Sequence, residues 1–220
     1  MRLLLVRHGE TVGNVERRMQ GADDPLTDRG LRQARDLAAH LAERGGMTAL
    51  YTSPLPRAMH TAQVIGEALG LTPVPRDALV EISVGDAAGY RFEEWTARFP
   101  DEARRFHTEG VDYAWPGGES GRQVGERTAA EINRILQAHS GETESIVVVS
   151  HGGALAWIIA HLLHEPRDRW PQEHLGLANC SLTEVEITGD SREAVTFLCR
   201  NEVGHLSPEP DAEVATGQAP

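Results

Sequence analysis

The sequence predicts an α/β fold: a three-layer α/β/α sandwich around a mainly parallel sheet, with an antiparallel edge strand and a helical lid insertion. Three observations lead to this prediction. Short apolar runs of β type alternate with helical patterns along much of the chain. A later stretch alternates apolar and polar residues around a turn, which is typical of antiparallel strands. One segment between these gathers most of the aromatic residues.

Strands and helices follow one another from the start of the chain. Residues 2–6 (RLLLV) form a β-type run whose apolar residues are continuous and do not alternate with polar ones, as expected for a strand that is buried on both faces of a parallel sheet. Residues 26–46 predict a helix with a Thr or Asp cap and a Gly-Gly stop. Residues 48–53 are strand-like, and residues 54–70 predict a helix with prolines in its first turn. Residues 144–163 repeat this order: a β-branched strand, a glycine turn and an apolar helix.

Seven aromatic side chains fall between Tyr90 and Trp115, in a chain that has 4 Trp, 3 Tyr and 4 Phe. We interpret this region as an insertion, at about residues 86–118, with a small core of its own. The same insertion is expected to act as a lid, with some of its rings shaping a substrate pocket.

The last predicted element is a hairpin over residues 180–199, which turns at Gly189-Asp190 and lies at the edge of the sheet. A single domain is expected over residues 1–206. Residues 207–220 are acidic, rich in Pro and Ala and without periodicity, so they predict a disordered tail. The edge hairpin leaves pairing into a homodimer open.

Composition limits the partners of this protein. The 220 residues carry a formal net charge of -12, so nucleic acid is not expected as a partner. No secretory leader and no apolar run of membrane-spanning length are recognisable, so no membrane partner is expected. Cys180 and Cys199 have no metal-binding spacing and indicate a reduced, cytoplasmic protein. Any bound anion must therefore be held by a local cluster of positive groups.

Cationic and imidazole side chains follow three of the predicted strands. Arg7 and His8 end the first strand, Arg57 opens the helix after the second, and His151 follows the third. Singly, each would more often be a structural or surface residue. Ligands of open α/β sheets bind beyond the carboxyl ends of the strands, where helix N-termini add N–H groups. Because burying two arginines together without an anion costs several kcal/mol per ion, we expect these side chains to surround a phosphoryl group.

Three sequence blocks, LLLVRHGETVGN, SPLPRAMHTA and VVVSHGG, resemble the signature motifs of the histidine phosphatase superfamily, the phosphoglycerate mutase-like proteins. Weaker similarities extend the resemblance over about residues 2–206 and favour the phosphatase-type branch. The resemblance implies a metal-independent phosphomonoesterase without a cofactor. Its substrate would be a small phosphorylated metabolite, a sugar phosphate or a phosphoglycerate-type ester.

The resemblance also implies roles for individual residues. His8 would be the nucleophile that becomes phosphohistidine, and Glu81 would donate and then accept the proton. The phosphoryl oxygens would be held by Arg7, Arg57 and His151. Further substrate contacts are implied for Asn14, Gln20, Gly21 and Gly152. No metal ligands are expected, and His161, His164 and His174 are interpreted as core-edge or surface residues.

Two alternatives to a phosphatase stay open. A cofactor-dependent phosphoglycerate mutase of this family carries a motif of the type Glu-Arg-His-Tyr-Gly, whereas residues 81–85 here read EISVG, with no basic residue before Arg91. This difference favours hydrolysis. A non-catalytic phosphoryl-binding module is disfavoured because the sequence has His8, His151 and Glu81 together. Phosphatases of the family often carry Gly-x-Trp-x-Gly, but Ala87 stands in place of the tryptophan, so the substrate stays open.

Overall fold

The computed structural model of the protein describes residues 1–139, 144–188 and 194–208, and a mixed sheet of six strands runs through this part of the chain. The strands are β1 (Arg2–Arg7), β2 (Ala49–Thr52), β3 (Val74–Pro75), β4 (Ser145–Ser150), β5 (Leu182–Thr188) and β6 (Ala194–Glu202). Their order across the sheet is β3-β2-β4-β1-β5-β6.

Strand direction divides the sheet into two parts. β1 runs parallel to β4, and β2 runs parallel to both β4 and β3. β5 is antiparallel to β1 and to β6. The mainly parallel sheet with an antiparallel edge is therefore confirmed. The turn predicted at Gly189-Asp190 and the tail from residue 209 onward lie outside the described residues.

Helices connect the strands within the described ranges. They are α1 (Val12–Val15), α2 (Asp28–Arg44), α3 (Pro56–Leu69), α4 (Phe92–Arg98), α5 (Pro100–Glu109), α6 (Gly121–Ala138) and α7 (Gly152–Leu162). α2 begins where the sequence predicts, because the side chain of Thr27 accepts a hydrogen bond from the backbone N–H of Gly30. No helix in the described ranges is long and apolar enough to cross a membrane.

The core is split between the two faces of the sheet. Leu3 and Leu5 of β1 face a cluster that includes residues of α6 and α7. Leu4 and Val6 of the same strand face a second cluster with residues of α2 and α3. Each fully buried side chain of this size contributes roughly 1.5–3 kcal/mol to folding. Helices therefore cover both faces, as the continuously apolar β1 predicts.

The aromatic segment packs into a small core of its own. The rings of Trp95 and Trp115 lie 4.8 Å apart, and Phe106 and Tyr113 pack against Trp115. Apolar residues that precede the aromatic segment in the sequence, among them Met19, Ile82 and Ala87, complete the cluster. This packing agrees with an inserted unit; movement of the unit as a lid stays a prediction.

Candidate active site

The carboxyl ends of β1 and β4 bring the predicted groups together. Arg7 stands opposite Ser150 in the parallel register, and the backbone N–H of His8 donates to the Ser150 carbonyl at 3.0 Å. The rings of His8 and His151 are 5.0 Å apart. Arg57, in the first turn of α3, donates from Nε to Nδ1 of His151 at 3.2 Å. All four side chains thus share one end of the sheet.

The tautomer of His8 follows from its hydrogen bond. Its Nδ1 lies 2.7 Å from the carbonyl oxygen of Gly9, which can only accept, so Nδ1 carries the proton. In the neutral ring, Nε2 then keeps its lone pair. Burial and the positive charges of Arg7 and Arg57 lower the pKa of His8 well below its ordinary value. His8 is therefore neutral and able to act as a nucleophile through Nε2.

His151 has the opposite tautomer. Its Nδ1 accepts from Arg57, so the proton of the neutral ring is on Nε2, which donates to Oγ of Ser53 at 2.8 Å. Burial, followed by the nearby His8, Arg57 and Arg7, holds the pKa of His151 well below its ordinary value. The single N–H of this neutral ring therefore donates to Ser53, and the ring lies beside that of His8.

Two guanidinium groups flank the histidines. Arg57 is 1% exposed and donates to the carbonyl oxygen of Gly21 at 2.9 Å. Arg7 donates to the Leu177 carbonyl, while its buried Nε has no hydrogen-bond partner among the described residues. Burial lowers the pKa of both groups, and the carboxylate of Glu81 opposes this shift. Buried cations with an unused donor are suited to an anion.

Glu81 is held at the start of α7. Its carboxylate accepts hydrogen bonds from the backbone N–H groups of Gly153 at 2.9 Å and Ala154 at 3.0 Å. It also accepts from the N–H of Ile82 at 3.0 Å. A negative group at a helix N-terminus is favourable because the free N–H groups there are positively polarised. The carboxylate is thereby fixed next to His151, the residue that precedes this helix.

A cavity of about 320 Å³ adjoins the cluster. Four of the predicted residues, Gln20, Gly21, Arg57 and Glu81, lie in its wall. The remaining lining residues are Ala22, Leu55, Val80, Ile82, Ser83, Val84, Gly85 and Ala88. Two larger cavities, of about 490 and 450 Å³, contain none of the predicted residues. The side chains, and not cavity size, identify the site.

Asn14 and Gln20 connect to the cluster through a hydrogen-bond network. Oδ1 of Asn14 accepts from the backbone N–H of Thr11 at 3.2 Å and from Nδ2 of Asn179 at 3.0 Å. Asn179 also donates to the carbonyl oxygen of His8 at 3.0 Å. Gln20 donates to Oγ1 of Thr11 at 2.7 Å.

The last predicted residue, Gly152, is the first residue of α7. A Cβ on Gly152 would lie 3.7 Å from Nε of Arg7.

Two residues in this network were missed by the sequence analysis. Ser53 directly follows β2, and Asn179 directly precedes Cys180. Both lie in loops, where small polar residues are common, so neither stands out in a single sequence.

The described ranges contain no candidate metal site: no group of three or more His, Cys, Asp or Glu there could hold a metal ion.

The fold and the site together define an α/β protein with a candidate phosphoryl-binding site at the carboxyl edge of its sheet. A nucleophilic imidazole, two guanidiniums and a fixed carboxylate are the groups that phosphoryl transfer uses. The sequence model of the histidine phosphatase superfamily (branch 1) matches residues 3–199, and the chain belongs to this superfamily.

Relatives in this superfamily carry both mutase and phosphatase names. The protein called "Probable phosphoglycerate mutase GpmB" in Yersinia pestis (strain Pestoides F) is 36% identical over 188 residues, or 84% of this chain and 85% of that protein. The mycobacterial glucosyl-3-phosphoglycerate phosphatase, solved with VO3, is 34% identical; the match covers 91% of this chain and 98% of that one, with a TM-score of 0.77. The alpha-ribazole phosphatase from Shigella flexneri is 26% identical, with coverage of 92% and 96% and a TM-score of 0.80.

Proposed function

We propose that this protein is a phosphatase that hydrolyses small phosphorylated metabolites through a phosphohistidine on His8. The observation that carries the proposal is the state of His8: a buried, neutral ring, protonated on Nδ1, beside two guanidiniums. A neutral Nε2 can attack phosphorus, and the adjacent cations can stabilise the charge on the transferring group.

The reaction has two steps. Nε2 of His8 bonds to phosphorus as the ester P–O bond breaks, and the carboxyl group of Glu81 gives a proton to the leaving alkoxide. The Glu81 carboxylate then takes a proton from water as the water oxygen attacks the phosphohistidine. Phosphate leaves, and His8 returns to the neutral state. Arg7, Arg57 and His151 are assigned to the phosphoryl oxygens in both steps, with the Nε2–H of His151 exchanging its bond to Ser53 for one to a phosphoryl oxygen.

The nucleophile is tested with p-nitrophenyl phosphate in buffer that contains a metal chelator. We expect phosphate release by the wild type and a loss of at least about a thousandfold in His8→Ala. His60→Ala removes an exposed histidine of α3 and serves as the matched control. A labelled substrate should leave label on the wild-type protein in an acid-labile, alkali-stable form, as expected for phosphohistidine. Wild-type turnover by His8→Ala would exclude the assignment.

A mutase is the second candidate, because the 36% identical relative from Yersinia pestis carries that name. The EISVG stretch at residues 81–85, with no cation, supports the phosphatase instead. The two activities are separated with 3-phosphoglycerate and catalytic 2,3-bisphosphoglycerate. Phosphate release faster than 2-phosphoglycerate formation supports the phosphatase. Isomerisation that outpaces phosphate release, and depends on the bisphosphate, supports the mutase.

A further inference from the structure

The cavity beside the phosphoryl-binding cluster has an unusual distribution of charge. Among its lining residues, all of which lie in the described part of the chain, Arg57 is the single cation and Glu81 the single anion. Arg57 is already bound to His151 and to the Gly21 carbonyl. The other lining side chains are neutral, and four of them are aliphatic: Leu55, Val80, Ile82 and Val84.

The proposed function assigns both Arg57 and the partly buried Arg7 to the phosphoryl dianion, so their two positive charges face its two negative ones. A second anionic group on the substrate would find no counter-ion in the cavity wall. Carboxylates are also close: Asp24 and Glu81 both act on Arg57 and raise its pKa against the effect of burial. Asp24 and Gln20 both pack against Gly13, which places this carboxylate beside a lining residue. These carboxylates would repel a second anionic group of the substrate and so weaken the binding of a substrate that carries one.

We propose that the site selects phosphoesters whose alcohol portion is uncharged, such as polyol or sugar phosphates, over esters that carry a carboxylate next to the phosphate. The proposal rests on the proposed phosphatase function and narrows its substrate class. The amide of Gln20 and the hydroxyl of Ser83 can bond to substrate hydroxyl groups, and the aliphatic wall suits the C–H faces of a polyol.

The test uses a pair of substrates with the same carbon skeleton. Glycerol 3-phosphate and 3-phosphoglycerate differ in one position, which is a neutral CH₂OH in the first and a carboxylate in the second. We expect kcat/KM to be at least about tenfold higher for glycerol 3-phosphate. Inhibition constants of both compounds against p-nitrophenyl phosphate hydrolysis should rank the same way. Equal values or the reverse order would overturn the proposal.

A cation placed in the cavity should reverse the selection. Ala88 lines the cavity and is exposed, so Ala88→Arg introduces a guanidinium without filling a core position. We expect this variant to raise kcat/KM for 3-phosphoglycerate relative to glycerol 3-phosphate by at least about fivefold. Ala97→Arg, at an exposed position of α4 outside the lining, is the matched control and should leave the ratio unchanged.

The design separates two kinds of failure. If the wild type does not hydrolyse p-nitrophenyl phosphate, the proposed function fails. If it hydrolyses this ester but shows no preference between the paired substrates, or if Ala88→Arg and Ala97→Arg shift the ratio equally, the phosphatase stands and the charge selection is wrong.

Discussion

The protonation of His8 and His151 in the folded protein has a thermodynamic consequence. The pKa of both rings is lowered well below the ordinary value of a histidine, chiefly by burial. In the unfolded chain both rings titrate at their ordinary pKa, about 6.5. Below that pH the unfolded state therefore binds more protons than the folded state. The stabilisation from these neutral rings is complete above pH 6.5 and is lost as the pH falls below it.

We therefore expect acid to destabilise the wild type more than a variant without one of these histidines. Each ring should contribute about 1 kcal/mol of lost stability between pH 7.5 and pH 5.5. Urea unfolding at both pH values measures this loss. His8→Gln should lose about 1 kcal/mol less than the wild type over this interval, whereas the exposed His60→Gln should behave like the wild type. Equal losses in all three proteins would contradict the assigned protonation states.

Asn179 is a positioning residue whose effect should depend on Asn14. Its amide donates to Oδ1 of Asn14, which leaves the Asn14 NH₂ group to face a ligand. We expect Asn179→Ala to raise KM for p-nitrophenyl phosphate about tenfold, with a smaller change in kcat. The exposed Asn133→Ala is the matched control. In an Asn14→Ala background, Asn179→Ala should cost less than in the wild type, because only its bond to the His8 carbonyl oxygen is then lost; an undiminished loss there would show that Asn179 acts independently of Asn14.

At the scale of elements, the start of α7 determines where Glu81 can lie. A Cβ on Gly153 would come within 2.6 Å of Oε1 of Glu81, so Gly153→Ala should displace the carboxylate. We expect this variant to slow an alkyl phosphate at least about tenfold. Hydrolysis of p-nitrophenyl phosphate should be slowed less, because p-nitrophenolate leaves without a proton. Glu81→Gln should show the same pattern. Equal losses on both esters would argue against the proton-transfer role.

Elements with a strong internal pattern could be predicted from the sequence. β1 was expected at residues 2–6 and is observed at Arg2–Arg7, because a continuous aliphatic run needs burial on both faces. α2 was expected at residues 26–46 and is observed at Asp28–Arg44, since Thr27 and Gly45 mark its ends. The order of the strands could not be predicted. Periodicity gives the direction in which a side chain points, but not which strand it will pair with.

The same limit applies to the site. The convergence of Arg7, His8, Arg57 and His151 follows from a rule about strand ends, and the structure brings these residues together. The tautomers of the two rings, by contrast, depend on single hydrogen bonds, from His8 to the carbonyl oxygen of Gly9 and from Arg57 to His151. Such bonds are set by three-dimensional packing, which a one-dimensional pattern does not contain.

At the scale of the whole molecule, a protein with a net charge of -12 keeps the buried Arg57 near a second, partly buried cation, Arg7. A bound dianion should relieve their mutual repulsion and the cost of burial. We expect vanadate or inorganic phosphate, at one hundred times its dissociation constant, to stabilise the fold by about 2.7 kcal/mol. For a domain of this size, that corresponds to a rise in Tm of roughly 5–10 °C.

The thermal shift has a direct control. Arg57→Gln should lose most of the rise at the same anion concentration. Arg104→Gln, which removes an exposed cation that pairs with Asp101, should keep it. An equal rise in both variants would mean that the anion acts through nonspecific salt effects.

The sheet order also governs how the polypeptide reaches its native state. β1 lies between β4 and β5, whose partner residues for Arg2 are Ser145 and Glu186. During synthesis, β1, the strand that directly precedes His8, is therefore made long before both of its neighbours. Pairings across such long stretches of chain slow folding and expose an aliphatic strand in the meantime. A ribosome-bound fragment ending before β4 should thus recruit chaperones and lack any affinity for phosphate.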